Sequence, residues 1–259
     1  MMIQKELIPI QDEPKTEKEI KRKGGQVTQR DLTVLKWVGE MYTARFDTVR
    51  KLLGRSAGVG VIPQKEQGSI NQDNARKLVK KWENLGLVHQ KKIFFDDPNY
   101  IWLTTEGLRA VGLDYQYLEP SMITLRHSHV VNEVRLYIEG LERYKDKLQW
   151  KSERQIRRDQ NNLVRNTKKI HIPDAEIEID GRLVAVEIEL TQKSHTRIAA
   201  IIRELERRNY AKIWYFVRDD TQGAVEKALE SVKKELDTSR FVVRNIKEIL
   251  TNGNTINNH

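Results

Sequence analysis

Residues 171–194 read HIPDAEIEIDGRLVAVEIELTQKS, and the Asp180-Gly181 pair at their centre decides how the second half of the chain folds. Asp-Gly between two alternating runs is among the strongest short signals for a hairpin closed by a two-residue turn. Before the turn, Ala175, Ile177 and Ile179 alternate with Asp174, Glu176 and Glu178. After it, Val184, Val186, Ile188 and Leu190 alternate with Leu183, Ala185, Glu187 and Glu189. Both runs have the period of two that a strand requires. A two-residue turn sets Ile179 opposite Arg182, and counting outward sets Asp174 opposite Glu187. Their side chains then share a sheet face, with Cβ atoms about 5 Å apart. Glu189 follows two residues on, on the same face. Carboxylates placed this way repel and raise one another's pKa. A Mg²⁺ or Mn²⁺ ion, which prefers carboxylate oxygens, relieves the conflict. An alternating acidic strand is more often a solvated face, and that is the expectation for Glu176 and Glu178. What singles out Asp174, Glu187 and Glu189 is that the register brings them together at the strand ends.

The chain has 259 residues, enough for one large domain or two small ones. Its formal net charge is +9, which points to a polyanionic partner if the charges cluster. There is no cysteine, so disulfides and thiolate zinc sites are excluded, and a reducing, cytoplasmic setting is expected. No apolar run approaches a membrane span, and the polar N-terminus is no signal peptide.

Residues 1–27 are charged and lack an apolar period; they read as a mobile tail in which Lys21-Arg22-Lys23 could touch phosphate. From 28 to 118 the order is helix, helix, helix, hairpin. Thr28 opens the first helix, with Leu32, Leu35 and Val38 at helical spacing. After a break at Tyr42-Thr43 a second carries Phe46, Val49, Leu52 and Leu53. The Gly-rich loop GRSAGVGVIPQKEQGS leads to Ser69 or Asn71 as the cap of a third, which buries Ala75, Leu78, Val79, Trp82 and Leu85 and stops at Gly86. Two strand-like runs, VHQKKIFF and NYIWLT, and a short helix, TEGLRAVGL, complete the unit.

That order predicts a winged helix-turn-helix, whose third helix enters the major groove while the hairpin touches the backbone. Gln72, Asn74, Arg76, Lys77, Lys80 and Lys81 line the exposed faces of the third helix, and Lys91 and Lys92 lie in the wing. Amide and guanidinium groups suit base edges, and lysines suit phosphate. The expected partner is double-stranded DNA; a winged helix used for protein contacts is the alternative. The phrase WENLGLV…IWLTTEGLRAVG resembles the winged-helix regions of many bacterial regulators.

Glu119-Pro120-Ser121 reads as a linker, and residues 122–250 as a second domain. It opens with a helix from about Ile123 to Tyr144. His127 and His129 near its start, two residues apart, point different ways and are expected to make polar contacts. Glu133 on the same helix is expected to reach the acidic hairpin. A strand is expected over Leu148–Ile156, followed by a flexible basic loop, RRDQNNLVRNTKK. Beyond the hairpin, Thr191 or Ser194 caps a helix with Ile198, Ile201, Ile202 and Leu205 on one face, and on another Arg197, a candidate DNA-binding residue that, like Lys193, could offset negative charge developing in a reaction. AKIWYFV is a buried strand, a helix covers 221–236, FVVRNI is strand-like, and 251–259 is a disordered tail.

Helix, three strands, helix, strand, helix, strand resembles the core of the PD-(D/E)XK nuclease superfamily, with Pro173-Asp174 and Glu187-Ile188-Glu189 in the motif positions. The fold expected is therefore α+β: a winged helix-turn-helix followed by a PD-(D/E)XK-type domain with a mixed sheet. The resemblance implies that Asp174 and Glu187 hold Mg²⁺ or Mn²⁺, that Glu189 stands where Lys is usual, and that Lys193 can supply the missing cation. Over about residues 28–220, H-x-x-x-N-E-V, PDAEIE and VEIELTQKS are similar to the replication-relaxation family of plasmids, integrative elements and phages. That implies an accessory role in plasmid replication or conjugative mobilisation, with a relaxase or replication protein as partner. Two readings stay open: a DNA-binding protein with a metal-dependent endonuclease domain, and a winged-helix transcriptional regulator whose nuclease-like domain only binds or dimerises.

Overall fold

A computed structural model describes residues 26–56, 68–145, 147–163 and 171–252. Lys21-Arg22-Lys23, most of the Gly-rich loop, the end of the basic segment after Leu163 and the tail beyond Asn252 lie outside the described residues. The chain is α+β, with an antiparallel three-stranded sheet in its first half and a mixed five-stranded sheet in its second.

The first half runs α1 (Gln29–Glu40), β1 (Ala44–Arg45), α2 (Phe46–Ser56), α3 (Gln72–Asn84), β2 (Val88–Lys91), β3 (Tyr100–Leu103) and α4 (Thr105–Ala110). Thr28 caps α1 reciprocally: its hydroxyl accepts from the Asp31 N–H, and the Asp31 carboxylate accepts from the Thr28 N–H. Asn71, rather than Ser69, caps α3, accepting from Asp73 and Asn74 N–H. Gly86 ends that helix at a positive φ of 71°, where a side chain would be strained. β1 was not expected; it pairs Ala44 with Ile101, so the sheet runs β1-β3-β2.

The second half runs α5 (Met122–Glu139), β4 (Leu148–Ser152), α6 (Glu153–Leu163), β5 (Ala175–Ile179), β6 (Arg182–Glu189), α7 (His195–Glu206), β7 (Lys212–Val217), α8 (Asp219–Val232), β8 (Phe241–Asn245) and α9 (Ile246–Asn252). Two segments differ from expectation. The strand over 148–156 stops at Ser152, and the expected basic loop begins as α6. Only Arg154 and Ile156 of its described side chains are buried, so α6 offers too few apolar residues for a helical period. α9 likewise extends into residues expected to be tail.

The sheet order is β4-β5-β6-β7-β8. β4, β5 and β6 pair antiparallel, and β6, β7 and β8 pair parallel through α7 and α8. The expected register holds, with Ile179 opposite Arg182 and Ala175 opposite Val186. Asp180 and Gly181 both have positive φ, 50° and 73°, as the mirror-image hairpin turn demands. β6 is central and covered on both faces: Val184, Val186 and Ile188 join one apolar cluster, while Ala185 joins another with Ile198, Ile202 and Val225. A strand buried on both sides strengthens the cost of any charge it carries, which bears directly on Glu187 and Glu189.

α5 is the seam between the halves. Asn132 donates to the Thr43 carbonyl at 2.8 Å, and Arg135 bonds Glu40 and Glu139 while Trp37 donates to Glu139 at 3.1 Å. From α6, Arg154 donates to the Gly39 and Gln116 carbonyls at 2.7 and 2.6 Å, between the rings of Tyr42 and Tyr115. Residues of both halves share one buried apolar cluster, from Val34 to Ile249.

Candidate functional site

The acids meet at the open end of the β5–β6 hairpin. One oxygen of Asp174, Oδ2, accepts from the Ile188 N–H at 2.7 Å, fixing the carboxylate across the strand gap from Glu187. Its other oxygen, Oδ1, lies 2.8 Å from Nε2 of His127 on α5. His171, three residues before Asp174, places its own Nε2 2.7 Å from Glu187 Oε1. The His171 backbone is clamped by α7: its N–H donates to Glu204 and its carbonyl accepts from Arg208. Lys193 brings its ammonium 2.6 Å from Glu189 Oε2. Glu187 and Glu189 are buried, at 7% and 4% exposure. The strand register sets Tyr215 of β7 beside Glu187, and its hydroxyl is buried with no hydrogen-bond partner among the described residues.

Burial is the largest influence on Glu187 and, with the charge of Asp174, pushes its carboxyl up to about 7, against the pull of His171 and Lys193. Burial opposes the charged forms of His127 and His171, but hydrogen bonds to Asp174 and Glu187, with the charges of those carboxylates, outweigh it and hold both rings above their ordinary range. Burial, then the charges of Glu187, Glu189 and Asp174, hold the Tyr215 phenol protonated.

The sequence expectations meet this geometry unevenly. Asp174, Glu187, Glu189 and Lys193 are brought together. Glu133 is not: it faces α2, accepting from Thr48 at 3.1 Å and pairing with Lys51 at 2.6 Å, because α5 turns that face toward the first half. Glu176 is not a solvated acid but accepts from the Tyr210 hydroxyl at 2.7 Å, while Glu178 is exposed. Arg197 is exposed in the first turn of α7. His127 makes the polar contact expected of it, and the contact is with the centre. His171 was missed, although a histidine just ahead of Pro173-Asp174 lies in the strand's line of approach.

The donor set suits a cation in its chemistry: three carboxylates close together, two of them buried and one pushed up by that burial, beside a buried hydroxyl with no partner among the described residues. As the side chains stand, however, the acids are closed in pairs by imidazole and ammonium, and among the described residues no three His, Asp or Glu groups form a ready cage. An ion enters by displacing those hydrogen bonds. An open cleft of about 700 Å³ lies at the carboxyl ends of β6, β7 and β8, lined by charges of both signs, Arg45, Arg126 and Arg218 with Asp97, Asp219 and Asp220, and by none of the residues of the centre. Open sheets characteristically present ligands at such strand ends.

On α3, Gln72, Asn74, Arg76, Lys77 and Lys80 are exposed, as are Lys91 at the end of β2 and Lys92 just after it. Phe95, beyond them, is 92% exposed. Arg76 and Lys80 make surface pairs with Asp73 and Glu83, which water screens. Lys81 differs from expectation. Its ammonium lies 2.6 Å from Asp31, which is fully buried, so it holds α3 to α1 and is not free for phosphate. Lys81→Ala leaves that carboxylate unpaired, and a loss of roughly 2 kcal/mol in denaturant unfolding is expected. Burial raises the Asp31 carboxyl, but the hydrogen bonds of Lys81 and Thr28 outweigh it and the net shift is downward. A depressed carboxyl stabilises above its unfolded pKa, so this contribution is complete above about pH 4 and disappears as pH falls through the lower folded value. Acid titration of the Lys81→Ala variant is expected to show a shallower loss over that range.

No family model matches the chain, and no curated protein is similar to it in sequence. Among solved structures, the crystal structure of protein VC1899 from Vibrio cholerae is similar over 88% of this chain, with 8% identity and a TM-score of 0.29; the chain spans 56% of that protein's length. A likeness of that size bears on neither mechanism nor partner. Among the described residues no helix is long and apolar enough to cross a membrane.

Proposed function

We propose that the chain is a DNA-binding phosphodiesterase of a winged helix-turn-helix and PD-(D/E)XK type. In this reading α3 and the β2–β3 hairpin hold duplex DNA, and the acid–histidine centre hydrolyses a phosphodiester bond with Mg²⁺ or Mn²⁺. The observation that supports it is the convergence of Asp174 and Glu187 at the hairpin end, with Lys193 drawn onto Glu189. A divalent cation there polarises phosphate and lowers the pKa of bound water. Asp174 and Glu187 hold it; Lys193 offsets negative charge developing on the phosphate. Arg197 lies exposed in the first turn of α7 and binds the backbone near the cut. In this reading the protein would serve as an accessory in plasmid replication or mobilisation, beside a relaxase or replication protein, the role that the resemblance of PDAEIE and VEIELTQKS implies.

One observation favours the second reading, a regulator whose second half only binds. Each acid of the centre already has a cationic or imidazole partner. A plasmid-nicking assay with Mg²⁺, Mn²⁺ and EDTA lanes separates the two. Nicking in the metal lanes, lost in Asp174→Asn, is the expected result; intact plasmid in every lane, with duplex binding retained, makes the regulator the better account. A melt gives an independent check. A saturating ion at about 100 times its Kd is expected to stabilise the protein by about 2.7 kcal/mol, and Asp174→Asn to abolish that shift.

A further inference from the structure

Resting on the metal-dependent reading above, we propose that His127 and His171 are nitrogen ligands of the centre, so that it takes a first-row transition-metal ion in preference to Mg²⁺. Two imidazoles reach the two central acids from opposite directions, His127 from α5 and His171 from the segment clamped by α7. Both present Nε2, at 2.8 Å from Asp174 Oδ1 and 2.7 Å from Glu187 Oε1. Neighbouring ligands on a six-coordinate ion with bonds of about 2.1 Å stand about 3 Å apart, so each imidazole–carboxylate pair already has the spacing of two adjacent ligands. To take up an ion each ring must turn off the line of its hydrogen bond and the two pairs must draw together, since as they stand no three of these groups among the described residues form a cage.

Tyr215 supplies the independent sign of an absent guest. It is 2% exposed, sits beside Glu187 across the parallel β6–β7 pairing, and its hydroxyl meets no acceptor among the described residues. A buried hydroxyl without a partner costs about 1–3 kcal/mol, a cost removed when a ligand of the ion, such as water, accepts its hydrogen. Chemistry decides the class of ion. Imidazole nitrogen suits Zn²⁺, Co²⁺ or Fe²⁺, whereas Mg²⁺ favours oxygen donors and gives up its water reluctantly.

The test is titration of the full chain with Co²⁺, followed by its visible absorption and by calorimetry. One Co²⁺ per chain is expected, undisplaced by a hundredfold excess of Mg²⁺. His127→Ala and His171→Ala are each expected to weaken Co²⁺ by at least tenfold, and melts without metal establish that the variants are folded. Because His171 also pairs with a buried acid, His171→Gln provides a gentler second variant with the same expected loss of nitrogen ligation. The proposal is overturned if Mg²⁺ displaces Co²⁺ at equal concentration, or if the folded histidine variants bind Co²⁺ as the parent does. Nicking reads the other question separately: Co²⁺ bound through both histidines in a protein that never cuts DNA upholds this inference and removes the reaction, while cutting with Mg²⁺ unaffected by either histidine does the reverse.

Discussion

Raising the salt from about 50 to about 200 mM is expected to weaken duplex binding on the order of 100-fold. Each phosphate neutralised by a cation contributes about −0.9 to the slope of log affinity against log salt. Arg76 and Lys77 on α3, Lys91 at the end of β2 and Lys92 just after it are exposed, and four such contacts give a slope near −4. Lys77→Glu combined with Lys92→Glu is expected to lower affinity at low salt and flatten the slope by about 2. Both side chains are exposed, so the melting temperature is expected to hold. Fluorescence anisotropy on a labelled duplex over a salt series measures all of this. A slope near zero for the parent protein removes DNA as the partner, whatever the second half does.

Arg154→Ala is expected to cost about 3 kcal/mol, or roughly 6–12 °C in melting temperature. The guanidinium is buried, donates to two backbone carbonyls from different segments of the first half, and is stacked by two tyrosines. Truncation leaves the Gly39 and Gln116 carbonyls without those donors and opens a gap between the rings. Arg154→Lys keeps the charge but not the planar fork, and most of the loss is expected to remain. Denaturant unfolding checks the magnitude; near-neutrality shows that the contact stabilises nothing.

The hairpin was legible because its signals are local. A two-residue Asp-Gly turn fixes register, register fixes which acids coincide, and alternation fixes their face. The apolar stripes of α1, α2, α3 and α7 were legible for the same reason, as were the cap of α1 and, to one of two residues, those of α3 and α7. What escaped depends on distant partners. α6 is anchored by a buried arginine where a helix normally shows an apolar stripe, so its pattern reads as loop. Lys81 looks like any solvated lysine until Asp31, fifty residues earlier, is seen beneath it. Glu133 lies close in sequence to His127 but faces α2, on the same side of α5 as His129, and no periodicity says which neighbour a helix face will meet. His171 lies outside the alternating run, and its role follows only from how α7 clamps its backbone.

The seam along α5 carries a consequence for the proposed reading. Asn132, Arg135 and Arg154 tie the helix and sheet of the second half to backbone and side chains of the first. If α3 holds duplex DNA and the acid–histidine centre cuts it, a protein fastened in this way would work as calipers with a locked jaw: the cut would fall at one constant offset from the bound sequence, however the DNA between is varied.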